Sequence, residues 1–270
     1  MSLPLLPPTA VPPSVADGTL SAAAERAYRV FGAELAAEVG LQLSLPQVAI
    51  ATAQVLLQRY LHAASLRGTD AHWVVMGALY LAGKLEECCR GMRPIVNASF
   101  AAMQRRKGRG AGAAPLLGGR LYLHWKGALI RAERDILRAL GFQVYAGVSG
   151  QHAHKFLLYF VRVLGGGAPL AQAAWSALND SLRLDLCLRY PPEVIAAGAI
   201  ALGAARVGCA LPSGVPWHEV FGASAGDLAA VRGEVEALYA AAEPIGWLPS
   251  LRPEWSAREE EEEEGEGEGE

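Results

Sequence analysis

Lys84 and Glu133 are the two charges that the sequence sets among apolar neighbours. On a helix, Lys84 would have Tyr80, Leu81 and Cys88 at its i−4, i−3 and i+4 positions. Glu133 would have Ile130 and Leu137 at i−3 and i+4. A charge at the edge of an apolar stripe is costly unless it is paired or snorkels into water. A lysine and a carboxylate so placed on two helices can bridge them and present polar groups to a partner. The chemistry is recognition, not bond making.

Other residue groups suggest other chemistry. Gly222-Ala223-Ser224-Ala225-Gly226 fits the G-x-S-x-G nucleophile elbow, whose serine needs a preceding strand and an α/β sheet. The pattern here is helical, and Ser224 with Asp227 reads instead as a helix N-terminus, which argues against a hydrolase. His152 and His154 are two apart and diverge on a helix, so they read as capping or interface residues, not metal ligands. Cys88, Cys89, Cys187 and Cys209 have neither the spacing of a zinc site nor that of a disulfide framework, and imply a reducing compartment. Cys88-Cys89 is expected to be a small buried pair. No metal and no cofactor is expected. Arg105-Arg106-Lys107 and Arg109 are either a nuclear-import or phosphate-binding run or a solvated loop.

The elements that must position these residues are helices. Alanine and leucine dominate and β-branched residues are sparse, which predicts an all-α chain. Residues 1–19 carry Pro-Pro pairs and read as a disordered, proline-rich arm without a signal-peptide pattern. Ala27, Val30, Leu35 and Val39 mark a helix over 21–39. Pro46 opens a second, with Ile50, Ala53, Leu57 and Leu61 as its stripe. Thr69 or Asp70 caps a third, from about Ala71 to Cys89, whose first thirteen residues carry no charge except a neutral His72. A helix apolar all round is a central one. A short helix follows Pro94. Residues 105–120 read as a basic, glycine-rich loop. Leu121–Leu140 is amphipathic, with Trp125, Leu129, Ala132, Ile136 and Leu140 on one face and Gly141 as its C-terminal stop.

A second helical block follows, at about 150–163, 168–183, 191–206 and 226–241. Gly77-Ala78-Leu79-Tyr80-Leu81 parallels Gly198-Ala199-Ile200-Ala201-Leu202, 121 residues later, inside the most apolar helix of each block. The same offset sets Ala205 opposite Lys84, so the second block lacks that charge. Val194–Ala205 is uncharged but, at twelve residues, too short to span a bilayer.

Leu81-Ala82-Gly83-Lys84-Leu85-Glu86-Glu87 resembles the L-A-S-K-[IF]-E-E run of the cyclin box. Ala132-Glu133-Arg134-Asp135-Ile136-Leu137-Arg138-Ala139-Leu140-Gly141-Phe142 resembles the box helix that follows it. Leu45-Pro46-Gln47-Val48-Ala49, Gln58-Arg59-Tyr60, Asn179-Asp180-Ser181-Leu182-Arg183 and Phe221-Gly222-Ala223 resemble the cyclin L branch, and the likeness covers roughly residues 20–245 in order. The resemblance implies two tandem five-helix cyclin-box repeats, over 20–143 and 144–246. It implies a non-catalytic subunit that binds and activates a cyclin-dependent kinase of the PITSLRE type, in the nucleus, in RNA polymerase II transcription and pre-mRNA splicing. Splicing factors and polymerase machinery are further implied partners. Lys84 and Glu133 would bond the kinase backbone beside its mobile helix, and Leu81, Leu85, Phe142 and Val144 would form the apolar part of that contact. Gly83 departs from the family's serine, and the first helix lacks the M-R-A-I-L run that docks R-x-L motifs. The chain also ends in glutamate and glycine where cyclin L continues into an arginine–serine tail.

The net charge is −3, with nine glutamates between Glu259 and Glu270; taking those nine from −3 leaves +6 for the rest. Residues 247–270 read as a disordered acidic tail. An unclustered +6 is no nucleic-acid footprint, so direct nucleic-acid binding is not expected. The alternative is a cyclin-fold general transcription factor that binds DNA and polymerase without a kinase; its zinc ribbon and strongly basic second repeat are missing from the pattern.

Overall fold

The computed structural model describes residues 5–7, 9–108, 117–144, 152–214, 216–241 and 246–251. These residues are all-α and fall into two compact units. One takes in the described residues between 11 and 145 together with 246–251; the other takes in those between 146 and 244 together with the described residues up to Ala10.

The first unit holds α1 (Pro13–Ala16), α2 (Ala22–Gln42), α3 (Gln47–Ala63), α4 (Ala71–Leu85), α5 (Met92–Arg106) and α6 (Gly119–Ala139). Helix α4 is its axis and packs on α2, α3, α5 and α6. Its residues from Ala71 to Leu79 are buried all round, as an uncharged helix requires. Asp70 is its N-cap and accepts from the His72 backbone N–H at 3.0 Å. Ser21 caps α2 in the same way, through Ala24 N at 3.1 Å. The α6 stripe of Leu121, Trp125, Ala128, Leu129, Ala132 and Ile136 is buried against α4, with Trp125 edge-on to Trp73 and Phe100.

One glycine sets the closest approach. A Cβ on Gly77 would stand 2.8 Å from both the Ala132 Cβ and the Glu133 backbone nitrogen. The absence of that atom lets α4 and α6 meet backbone to backbone.

The second unit holds α7 (His154–Val163), α8 (Ala168–Ser181), α9 (Leu186–Arg189), α10 (Pro192–Val207), α11 (Trp217–Val220) and α12 (Ala225–Ala240). Helix α10 is its axis, packed on α7, α8 and α12. Gly198 repeats the role of Gly77: a Cβ there would lie 2.5 Å from Val231 Cγ1 on α12. The helix pair α4–α6 thus corresponds to α10–α12, in line with the internal repeat.

Several details differ from the sequence expectation. Helix α4 stops at Leu85, not at Cys89. Cys88 N bonds Gly83 O at 2.9 Å and Glu87 takes a positive φ of 53°, which closes a Schellman turn with a non-glycine residue. Helix α5 starts before Pro94, which its first turn tolerates, and runs on through Arg105 and Arg106. Those two guanidiniums bond Glu38 of α2 at 2.8 and 2.7 Å, so they are not in a free loop. The remainder of the basic stretch, 109–116, lies outside the described residues. Within residues 1–19, Pro13–Ala16 form a helical turn whose buried Ser14 accepts from Leu66 N at 2.9 Å.

Residues 246–251 do not leave the body. Trp247 packs edge-on to Phe31 with centroids 5.9 Å apart and lies over His72 at 4.9 Å. Tyr28 Oη donates to Pro249 O at 2.8 Å, and Ser250 Oγ donates to Asp70 Oδ2. The acidic run from Glu259 lies outside the described residues.

Candidate functional site

Lys84 stands on α4 two turns after Gly77, and Glu133 on α6 beside the residue that Gly77 touches. The close approach therefore sets their separation. Lys84 Nζ donates to Glu133 Oε1 at 2.5 Å and sits 4.0 Å from the centroid of the Tyr80 ring. The lysine side chain is 41% exposed and the glutamate 15%. A pair this open to water contributes about 0–1 kcal/mol to stability. Its geometry is thus poorly explained by folding energy. Among the described residues the cation makes one hydrogen bond, which leaves two donors to turn toward another molecule.

The ends of α4 and α6 shape what surrounds the pair. Helix α6 closes on Gly141, with φ of 57°, through bonds from Gly141 N to Arg138 O at 3.1 Å and from Phe142 N to Leu137 O at 2.9 Å. Gly141 is thus the stop that the sequence suggests. Phe142 follows with its own positive φ of 60° and is 68% exposed. From α3, Arg59 donates to Gln143 O at 2.8 Å and to Val144 O at 3.4 Å, pinning the chain that carries Phe142. Thr52, also on α3, donates to Glu86 Oε1 at 2.6 Å and fixes the end of α4.

The six expected contact residues divide by exposure. Lys84, Glu133 and Phe142 reach the surface, and Leu85 is half-buried against the core. Leu81 and Val144 are buried, so in this state they support the surface from beneath. Sequence reasoning missed Leu123 and read Ile130 only as a neighbour of Glu133; both are exposed apolar residues, seven apart on α6, with Ile130 one turn before Glu133. Their spacing off the buried stripe was the available signal. Tyr80 lies under the lysine, as the i−4 spacing suggested, whereas the support that Arg59 gives behind Phe142 was missed.

In the second unit the pattern is altered. Ala205 is exposed where Lys84 stands in the first. Arg232 follows Val231 as Glu133 follows Ala132, and it pairs with Glu236 at 2.7 Å along its own helix.

The other chemical signals resolve into structural contacts. Ser224 caps α12, accepting from Asp227 N at 3.1 Å and donating to Asp227 Oδ2 at 2.7 Å. His154 bonds Asn179 Oδ1 through Nε2 at 2.8 Å and lies edge-on to Trp175. Burial, with the nearby His154, holds the His152 imidazole down at about 4. The expected buried cysteine pair is not one: Cys88 is half-buried and Cys89 exposed, because α4 ends before them.

Residues 24–145 match a family model described as "Cyclin, N-terminal domain". The chain is similar to Cyclin-L2 of Homo sapiens, with 36% identity over 230 residues, covering 84% of this chain and 43% of the relative. It is also similar to Cyclin-L1 of Danio rerio, with 35% identity over 234 residues, covering 86% and 45%. The chain thus spans less than half the length of these curated relatives. Among solved structures, a chain of the yeast RNA Pol II CTD kinase CTDK-1 complex superposes with a TM-score of 0.73 at 17% identity, covering 89% of this chain and 74% of that one. A viral cyclin from herpesvirus saimiri gives 0.55 at 16% identity, covering 82% and 86%. At those identities the two structures speak for the fold.

Proposed function

The chain belongs to the cyclin family, and on that premise we propose that it is the regulatory subunit of a cyclin-dependent protein kinase, of the cyclin L kind. The role is regulatory, not catalytic: the chain offers a surface and the kinase does the chemistry. The surface is that of the first repeat, around Lys84, Glu133, Leu85 and Phe142, with Leu81 and Val144 supporting it and Leu123 and Ile130 extending it. The observation that carries this reading is the Lys84–Glu133 pair, held by the Gly77 contact although it adds little to stability.

A kinase becomes active when a lysine–glutamate pair of its own closes, which requires its mobile helix to swing in. A rigid platform that binds only the swung-in pose shifts that equilibrium. Moving it from 1:99 to 99:1 takes about 5.5 kcal/mol of differential binding. Three buried anchors at about 2 kcal/mol each are enough. Phe142, Ile130 and Leu123 have the size for that, and Lys84 and Glu133 supply orientation.

The cyclin L likeness supports a PITSLRE-type kinase as partner, with splicing factors and the RNA polymerase II machinery as further partners, and a nuclear setting in transcription and pre-mRNA splicing.

The test is Lys84→Ala with Glu133→Ala in the full chain. Kinase binding should weaken at least tenfold and kinase activity fall with it, while the melting temperature stays within about 2 °C, as the exposed pair's small worth requires. Unchanged co-purification and activity would overturn the assignment. A pull-down from nuclear extract, with the bound kinase identified, tests the partner separately.

A further inference from the structure

The first unit contains a socket filled by the chain's own residues 247–250. Phe31 of α2 and His72 of α4 form its aromatic walls around Trp247, and the Lys107 ammonium lies 5.2 Å from the indole. Its polar rim is Tyr28, which donates to Pro249 O, and Asp70, which accepts from Ser250 Oγ. Asp70 is 1% exposed and its acceptors are shared out: Oδ1 takes the His72 backbone N–H and Nδ1, leaving Oδ2 for Ser250. Burial alone would raise its carboxyl, but the charge and hydrogen bonds of His72, with the Ser250 bond, bring it below the usual carboxylate range. It is therefore an anion that receives a hydroxyl.

We infer that residues 247–250 are a latch and that Ser250 is a phosphorylation site through which a serine/threonine kinase opens it. In the step, Ser250 Oγ attacks the γ-phosphorus of a nucleoside triphosphate, the bond to the β-phosphate oxygen breaks, the nucleoside diphosphate leaves, and the hydroxyl proton passes to a base on that kinase. The product carries about −1.5 to −2 charge where a neutral donor stood. Its oxygens are acceptors, and they face a buried carboxylate that has nothing to donate. A phosphate beside an acidic group repels it and resists desolvation. The segment is short and half-buried, so local opening, which costs far less than unfolding, exposes the hydroxyl to the kinase. His72 Nε2 is buried with no hydrogen-bond partner among the described residues, so the latch fills the socket without saturating it. This inference does not depend on the kinase contact around Lys84.

The experiment compares three full-length chains by hydrogen exchange: wild type, the chain with phosphoserine installed at position 250, and Trp247→Ala. The amides of residues 247, 248, 250 and 251 should exchange at least tenfold faster in both altered chains than in wild type, with α3 and α6 unchanged. Equal protection in the phosphorylated and unmodified chains overturns Ser250 as the release point. Equal protection in Trp247→Ala and wild type overturns the latch itself.

Discussion

At residue scale, Lys84 and Glu133 could be found in the sequence because each breaks an apolar pattern at a helix edge. The exposure of Phe142 could not. Phe142 owes its exposure to two successive left-handed residues and to a guanidinium from α3 that bonds Gln143 O, 84 residues further along the chain. No local pattern encodes that. His152 makes a prediction of the same grain. Its imidazole is held neutral, at about 4 against an ordinary 6.5, chiefly by burial. A base with a depressed folded value binds its proton more readily when unfolded. Stability it protects is complete above about 6.5 and is lost as pH falls from there toward 4, at up to about 1.4 kcal/mol per pH unit. Melting curves between pH 7 and 4 should show this decline, and His152→Gln should flatten it; parallel profiles would remove His152 as the cause.

At the scale of elements, the long helices were plain because periodicity over fifteen residues or more leaves little choice. The four-residue helices α1, α9 and α11 were not, since one turn has no period to read. Helix ends also escaped: α4 closes by a non-glycine Schellman turn, which composition does not announce. The glycines of α4 look alike in sequence and differ in packing. At Gly77 a Cβ would collide with backbone of α6, whereas at Gly83 its nearest neighbour would be 3.7 Å away. Gly77→Ala should therefore destabilise by about 1–3 kcal/mol through overpacking, despite its better helix propensity. Gly83→Ala should stabilise by up to about 1 kcal/mol. Urea titrations of the two variants decide it, and a Gly77→Ala chain as stable as wild type would deny the close contact its role.

At the scale of the whole molecule, the two-repeat plan was legible from Gly77 and Gly198, which the structure places at corresponding helix contacts. The sequence did not reveal that the first unit is completed by residues far along the chain. Trp247 stands in a stretch that composition reads as an exit, and only the aromatic walls of α2 and α4 explain it. A chain ending at Pro244 should melt about 2–8 °C lower than the full chain, from the lost indole burial and two hydrogen bonds. Identical melting would show that the segment contributes nothing to stability. The same discontinuity has a consequence in time. A ribosome delivers residues in order, at about 5–20 per second. The walls of the socket are made early, but the tryptophan that fills it comes roughly a hundred residues after α6 has left. For about 5–20 seconds of every synthesis the nascent first repeat must stand with Tyr28, Phe31 and His72 lacking the cover that Trp247 and Pro249 later give them.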